Sequence, residues 1–292
     1  MSSPVETPVG SARLHGISTK LDANGFYNED LNLTYETIRL DIADNIATIT
    51  LNRPERLNAM GPQMADEISE ALDNLRGARA LIITGAGRAF CSGADLQARG
   101  AASALGGSGP YGALTRSYNP TMVKLSKLNV PIITAVNGPA AGIGCSLGLC
   151  SDFAIAGKSG YFLQAFVNIG LVPDGGASWM LPRLIGKARA TQMMMLGEKI
   201  GGEQAAEWGL IYKCVEDAEL MVEARALAAK LANGPTLALG LMRQNIASAL
   251  EMDYASALTR EAEAQKIAGE SADAREGGIA FLQKRKAEFK GQ

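Results

Sequence analysis

The chain has 292 residues, 28 Lys and Arg against 30 Asp and Glu, a formal charge of -2 and 47% apolar residues. A chain this long can bury a substantial core, as one large domain or a domain plus an appendage, and its near-neutral charge gives no electrostatic reason to expect nucleic acid or an anionic membrane as partner. No apolar run approaches the ~20 residues of a bilayer span, and the N-terminus lacks a basic start and apolar stretch, so a cytoplasmic protein is expected.

Residues 1–34 mix Pro, Gly, Ser, Asn and charge without a clear period, which predicts an N-terminal extension with no catalytic role. The extension holds His15, the single histidine of the chain. That one fact removes most Ser-His-Asp and Cys-His schemes and leaves chemistry to carboxylates and backbone amides. Cys91, Cys145, Cys150 and Cys214 form no CxxC pair and have no neighbouring histidine, so reduced thiols are expected, with neither a metal site nor a disulfide framework.

From Glu36 the pattern becomes β-like: "ETIRLDI" and "IATITLN" flank the turn-like "ADN", as a hairpin would. "GPQMADEISEALDNLRG" predicts a helix with Pro62 at its first position, Gly77 at its end, and Met64, Ile68, Ala71, Leu72 and Leu75 on one buried face. The runs "RALIITG", "VPIITAVNG" and "DFAIAG" predict buried strands between helical segments, hence α/β layers. "GAASALGGSGPYG", residues 100–112, reads as a mobile surface loop, with a substrate-gating loop as the alternative.

Beyond Gly201 the pattern is helical, and Leu237, Leu241, Ile246 and Leu250 form an approximate stripe. These helices are expected to pack on the core or on a neighbouring subunit, with a homo-oligomer favoured. The resulting division is an extension (1–34), a core (35–230) and a C-terminal helical region (231–292).

"ALIITGAGRAFCSGADL" and "PIITAVNGPAAGIGCSLGL" both run strand, glycine, helix. Glycine lets the chain turn tightly and leaves backbone N–H groups pointing outward, and in the second segment those amides open a helix whose dipole favours negative charge. If the amides of Ala94 and Ile143 converge, they can hold the enolate oxygen formed beside a thioester carbonyl. A phosphate cradle and plain tight packing are the competing readings. Against a cradle, "GAGRAF" lacks the Lys-Ser/Thr of a P-loop, and neither segment carries G-x-G-x-x-G with a following acidic residue.

With "LNRPERLNAM", "IGLVPDGG" and the tail "REGGIAFLQKRKAEF", these segments resemble the crotonase (enoyl-CoA hydratase/isomerase) superfamily from about Glu36 to the C-terminus. The resemblance implies an α/β fold, a spiral of ββα units with a C-terminal helical oligomerisation region, assembled as a homotrimer or a dimer of trimers. It implies an acyl-CoA thioester substrate, no separate cofactor because CoA is part of the substrate, and an enolate held by the Ala94 and Ile143 amides. Arg53, Arg56, Leu57, Ala94, Asp95 and Leu96 would line the CoA channel, although Asp95, like Asp152, reads as a structural carboxylate. Phe281 and Lys284 match tail positions that reach a neighbour's CoA, a solvated helix face being the plainer reading.

The superfamily's hydratases use two glutamates, and this chain has Ser146 and Phe166 at those positions. A hydratase must activate water and deliver a proton, so the resemblance points to an isomerase whose proton shuttle is Asp174 of "GLVPDGGASW". The branch that isomerises ring 1,2-epoxyphenylacetyl-CoA shares "RSYNP", "GLVPDGGASWMLPRLIGKARA" and "AGESADAREGGIAFLQKR". A hydratase, a thioester hydrolase and a non-catalytic acyl-CoA binder are the alternatives. For Asp174 itself, the alternative is a cap on the helix that follows, through the amides of Gly176 or Ala177.

Overall fold

The computed structural model describes residues 34–96 and 108–292, together with two short strands, β1 (Thr19–Leu21) and β2 (Tyr27–Glu29). These two strands pair antiparallel, with Lys20 opposite Asn28, so the N-terminal extension contains regular structure that its composition did not announce. Met1–Tyr35 forms one compact unit and Glu36–Gln292 the other.

Within the larger unit the predicted hairpin is β3 (Ile38–Ala43) and β4 (Ile46–Leu51), paired antiparallel. Asp44 and Asn45 connect them, both with positive φ (53° and 60°). Asp and Asn tolerate that region, and a two-residue turn of this hand matches the twist of the strands it joins.

The helix predicted at Pro62 is α1 (Pro62–Asp73); it stops before Gly77, at Asn74, whose N–H bonds back to the Ala71 carbonyl. All five residues assigned to its inner face are buried. Strands β5 (Ala80–Gly85), β6 (Ile132–Val136), β8 (Phe153–Gly157) and β11 (Lys213–Val215) join β3 and β4 in one sheet of order β11-β8-β6-β5-β4-β3. Every pairing in it except β3–β4 is parallel, which is why "LII" is wholly apolar and "IITAV" apolar but for the buried Thr134.

A second layer forms beside this sheet. Its strands β7 (Pro139–Ala141), β9 (Tyr161–Leu163) and β10 (Lys199–Gly201) run in the order β10-β9-β7. Isolated parallel bridges, Cys91 with Ala140 and Met60 with Ala94, extend it by two more short segments. Each turn of chain thus places one long strand in the first layer and one short strand in the second, a spiral of repeating units.

Residues 100–107 of the glycine-rich stretch lie outside the described residues. Residues 108–112, expected in a loop, instead open helix α2 (Ser108–Ala113), which continues through a π-helical turn (Leu114–Tyr118) into α3 (Asn119–Ser126). The second of the two strand-glycine-helix segments folds as β6, β7 and α4 (Ile143–Leu149). After it come a short 3-10 turn (Ala165–Ile169) and α5 (Ala177–Leu196), a helix interrupted at Gly186 (φ 73°, ψ 163°).

The helical third of the chain comprises α6 (Gly202–Glu207), α7 (Leu220–Ala232), α8 (Thr236–Ala249), α9 (Tyr254–Gly269) and α10 (Ala272–Leu282). Helix α7 covers the sheet: Leu220, Ala224, Ala228 and Ala232, spaced four apart, pack on Ala80, Ile82, Ile133, Ala135 and Ile155. Helix α8 turns its small and charged residues to the core. A Cβ on Gly240 would sit 2.3 Å from the Asn129 carbonyl oxygen, and Arg243 donates to Asp152 and to the carbonyls of Leu125, Ser126 and Leu128. The apolar stripe of α8 consequently faces outward in the single chain, with Ile246 69% and Leu250 50% exposed. No described helix is long and apolar enough to cross a membrane.

Candidate functional site

The segments carrying Ala94 and Ile143 lie side by side. The Cys91 N–H donates to the Pro139 carbonyl (3.0 Å) and the Ala141 N–H to the Cys91 carbonyl (2.9 Å), so residues 91–93 and 139–141 run parallel. Extending that ladder one step would give the Ile143 amide to the Gly93 carbonyl. It breaks there: Gly142 takes φ 53° and ψ -125°, and the Gly93 carbonyl accepts from Met60 N–H instead (2.8 Å). Gly93 itself has φ 111°. Both conformations favour glycine, since a Cβ is disfavoured at positive φ.

Ile143 is the first residue of α4, where an intrahelical acceptor is missing in any helix. Among the described residues, neither the Ala94 nor the Ile143 amide donates a hydrogen bond. A Cβ built on Gly142 would lie 3.8 Å from the Gly93 Cα, so the two glycines adjoin and their following amides stand on neighbouring strand ends. Two donors without acceptors on adjoining strand ends are what a site for developing negative charge would require.

Asp174 stands against the same helix turn. The Ser146 hydroxyl donates to the Asp174 carbonyl at 2.8 Å. Gly175 (φ 59°) is pressed on α4 so closely that a Cβ there would sit 2.4 Å from Ile143 Cδ1 and 2.8 Å from Ser146 Cβ. Asp174 is half-buried, with its Oδ1 enclosed. The amide of Ala177, one of the two offered in the capping alternative, donates to the Asp174 main-chain carbonyl (3.2 Å).

Phe166, at the other hydratase glutamate position, is buried, and its ring edge lies 3.6 Å from where a Gly142 Cβ would be. An apolar ring therefore stands beside Gly142, at a position where the resemblance would put a hydratase's carboxylate.

The residues predicted to line a channel divide in two. Arg53 Nη1 pairs with Asp95 Oδ2 at 2.7 Å and also donates to the Ala59 carbonyl (3.1 Å). Asp95 is 4% exposed, so this pair braces the 53–60 loop against the Ala94 segment, in keeping with a structural carboxylate. Arg56 and Leu96 are exposed and Leu57 half-buried. Asp152 is held by Arg243 and by the Ile132 amide (2.7 Å). Phe281 is 83% exposed, and Lys284 takes a left-handed conformation (φ 52°) where the last helix ends.

Asn58 was not singled out from the sequence, yet it organises the same loop. It is buried with φ 54°, accepts from the Arg53 N–H (2.9 Å) and donates to the carbonyls of Ala86 (2.9 Å) and Ala89 (2.7 Å). Its signal was an amide residue in a turn beside apolar positions, a residue type suited to left-handed backbone. Among the described residues no three His, Cys, Asp or Glu side chains cluster as metal ligands.

The profile of the enoyl-CoA hydratase/isomerase family matches residues 41–292. The chain is 44% identical over 265 residues to the 1,2-epoxyphenylacetyl-CoA isomerase of Escherichia coli K12, spanning 88% of this chain and 99% of that protein. It is also 44% identical over 261 residues to a Rhodobacter capsulatus protein named probable enoyl-CoA hydratase, spanning 89% of this chain and 100% of that one. The crystal structure of an enoyl-CoA hydratase from Bacillus anthracis superposes with a TM-score of 0.83 at 30% identity, covering 88% of this chain and all of that one. The spiral of paired strands, the glycine-ended segments and these matches make the chain a member of the enoyl-CoA hydratase/isomerase family, in the crotonase superfamily.

Proposed function

We propose that this enzyme isomerises acyl-CoA thioesters, moving a 3-enoyl-CoA double bond into conjugation or rearranging an epoxyphenylacetyl-CoA. The observation that carries this is the seating of Asp174 on the first turn of α4, through the Ser146 hydroxyl and through Gly175 packed on the Ile143 and Ser146 side chains. In this reading the thioester oxygen accepts from the Ala94 and Ile143 amides. Asp174 removes a proton from C2 to leave a dienolate, then returns a proton at C4, and the product is the 2-enoyl thioester with Asp174 regenerated.

Phe166 supports the reading by excluding water, since a dry pocket strengthens both amide hydrogen bonds and withholds the nucleophile a hydratase needs. No separate cofactor takes part, CoA being part of the substrate. Arg56, Leu57 and Leu96 are proposed to line its channel.

The proposed assembly is a homotrimer or a dimer of trimers. The exposed Ile246, Leu250, Tyr254 and Phe281 support it, and in it Phe281 and Lys284 would reach a neighbour's CoA. Incubation with 3-enoyl-CoA and, separately, with 2-enoyl-CoA tests the reading. The isomerase converts the first and hydrates the second little. Strong water addition to 2-enoyl-CoA that survives Asp174→Asn would overturn it in favour of a hydratase.

A further inference from the structure

The segment "RSYNP", residues 116–120, has no part in the chemistry above, yet it reaches the oxyanion segment. Pro120 has no N–H and its ring crowds the carbonyl four residues back, so an ordinary α-helical turn through Arg116 is disfavoured. The chain answers with a wider turn: the Asn119 N–H bonds to the Leu114 carbonyl, five residues back. Beyond that turn, Tyr118 and Thr121 both face the start of α1. Tyr118, 1% exposed, donates its hydroxyl to the Met60 carbonyl at 2.6 Å, and Thr121 Oγ1 donates to the Ala65 carbonyl at 2.8 Å.

Met60 grips the chain on both sides of Ala94. Its N–H donates to the Gly93 carbonyl (2.8 Å) and its carbonyl accepts the Asp95 N–H (2.9 Å). Successive N–H groups of an extended segment point to opposite edges. Fixing the Asp95 amide toward Met60 therefore turns the Ala94 amide the other way, toward the site. The Met60 carbonyl has two lone pairs, one taken by Asp95 and the other by Tyr118.

We propose that Tyr118 is a positioning residue of the oxyanion hole, holding the Ala94 amide outward through the carbonyl of Met60. The proposal rests on the reading of Ala94 and Ile143 as oxyanion donors. It separates Tyr118 from Thr121, which ties the same helix to α1 without touching Met60.

The test uses the full-length protein and sorboyl-CoA, a conjugated dienoyl thioester whose ultraviolet band moves to the red when its carbonyl is polarised. Tyr118→Phe is expected to bind this probe, to lose about half or more of the red shift, and to lose about tenfold in kcat with KM nearly unchanged, a misaimed donor costing less than a deleted one. Thr121→Val is expected to lose thermal stability while keeping the wild-type shift and kcat. A wild-type shift and kcat in Tyr118→Phe overturns the proposal. So does an equal loss in Thr121→Val, which would assign the effect to helix docking.

Should Tyr118→Phe not fold, Tyr118→Leu, which removes the same hydroxyl together with the ring, is read the same way, and an undiminished shift counts against the proposal. Asp174→Asn keeps the outcomes apart. A red shift sensitive to Tyr118 with turnover insensitive to Asp174 refutes the isomerase reading alone, and a wild-type protein that gives no shift refutes both.

Discussion

The hydroxyl of Ser146 donates to the main-chain carbonyl of Asp174 across 2.8 Å, joining the helix that opens at Ile143 to the turn that carries the proposed proton shuttle. Where the superfamily's hydratases place a carboxylate, this chain places a hydroxyl that holds another carboxylate's backbone. Ser146→Ala is expected to lower stability by about 1 kcal/mol, the worth of one hydrogen bond. It is also expected to lower kcat more than it raises KM, because the loosened group acts in the transition state. Urea unfolding and steady-state kinetics on a 3-enoyl-CoA check both; unchanged kcat would detach Ser146 from the chemistry.

Gly175 allows that seating because it has no side chain. A Cβ would meet Ile143 Cδ1 at 2.4 Å on a backbone already at φ 59°. Gly175→Ala is expected to destabilise by about 2–4 kcal/mol from overpacking and left-handed strain, and to depress turnover more than Ser146→Ala does. Thermal denaturation beside kinetics gives the comparison. Gly176, whose added Cβ would touch only the end of Met180 at 3.8 Å, should lose less on the same substitution.

Arg53 and Asp95 form an ion pair whose acidic partner is nearly inaccessible. Removing the guanidinium from a buried carboxylate is strongly unfavourable, so Arg53→Ala is expected to cost about 3 kcal/mol in urea unfolding. Arg53→Lys should recover part of it, the ammonium being a poorer match to the carboxylate and the Ala59 carbonyl together. If Arg53→Ala instead weakens CoA binding at full stability, Arg53 is a ligand-contacting residue and the bracing role is wrong.

Three thiols make stability fall at alkaline pH. Burial pushes Cys91 up to about 11 and Cys145 and Cys150 up to about 12, from 9.0 in the unfolded chain. The folded protein therefore keeps protons that the unfolded chain gives up. Their contribution is fully present below pH 9.0 and is lost as pH rises from there through about 11 for Cys91 and about 12 for Cys145 and Cys150. The urea midpoint should drop steadily above pH 9.0, less steeply in Cys145→Ala. Iodoacetamide at pH 8 should leave Cys91 and Cys145 unmodified until the chain is unfolded.

The outward stripe on α8 predicts assembly. Ile246 is 69% exposed in the single chain. Ile246→Asp is expected to shift sedimentation toward the monomer with the fold retained. An unchanged sedimentation coefficient would show that this face lies outside the subunit contact.

The sequence by itself determined the layers and the chemistry-bearing strand ends. Apolar β-branched runs pointed to buried strands, "ADN" pointed to a tight turn between two β-like segments, and the glycines after "FCS" and "PAA" pointed to the strand ends where backbone amides are left over. These signals are local, carried by period and by backbone freedom. The tertiary structure decided what depends on residues far apart in the chain. It set Met60 between Gly93 and Asp95, paired Arg53 with Asp95, buried Asn58 under three backbone groups, widened the turn before Pro120 to aim Tyr118, and let Gly240 and Arg243 rather than the leucine stripe face the core. Those contacts pair one polar group with another across dozens of residues, and no periodicity along the chain records which carbonyl a buried donor will find.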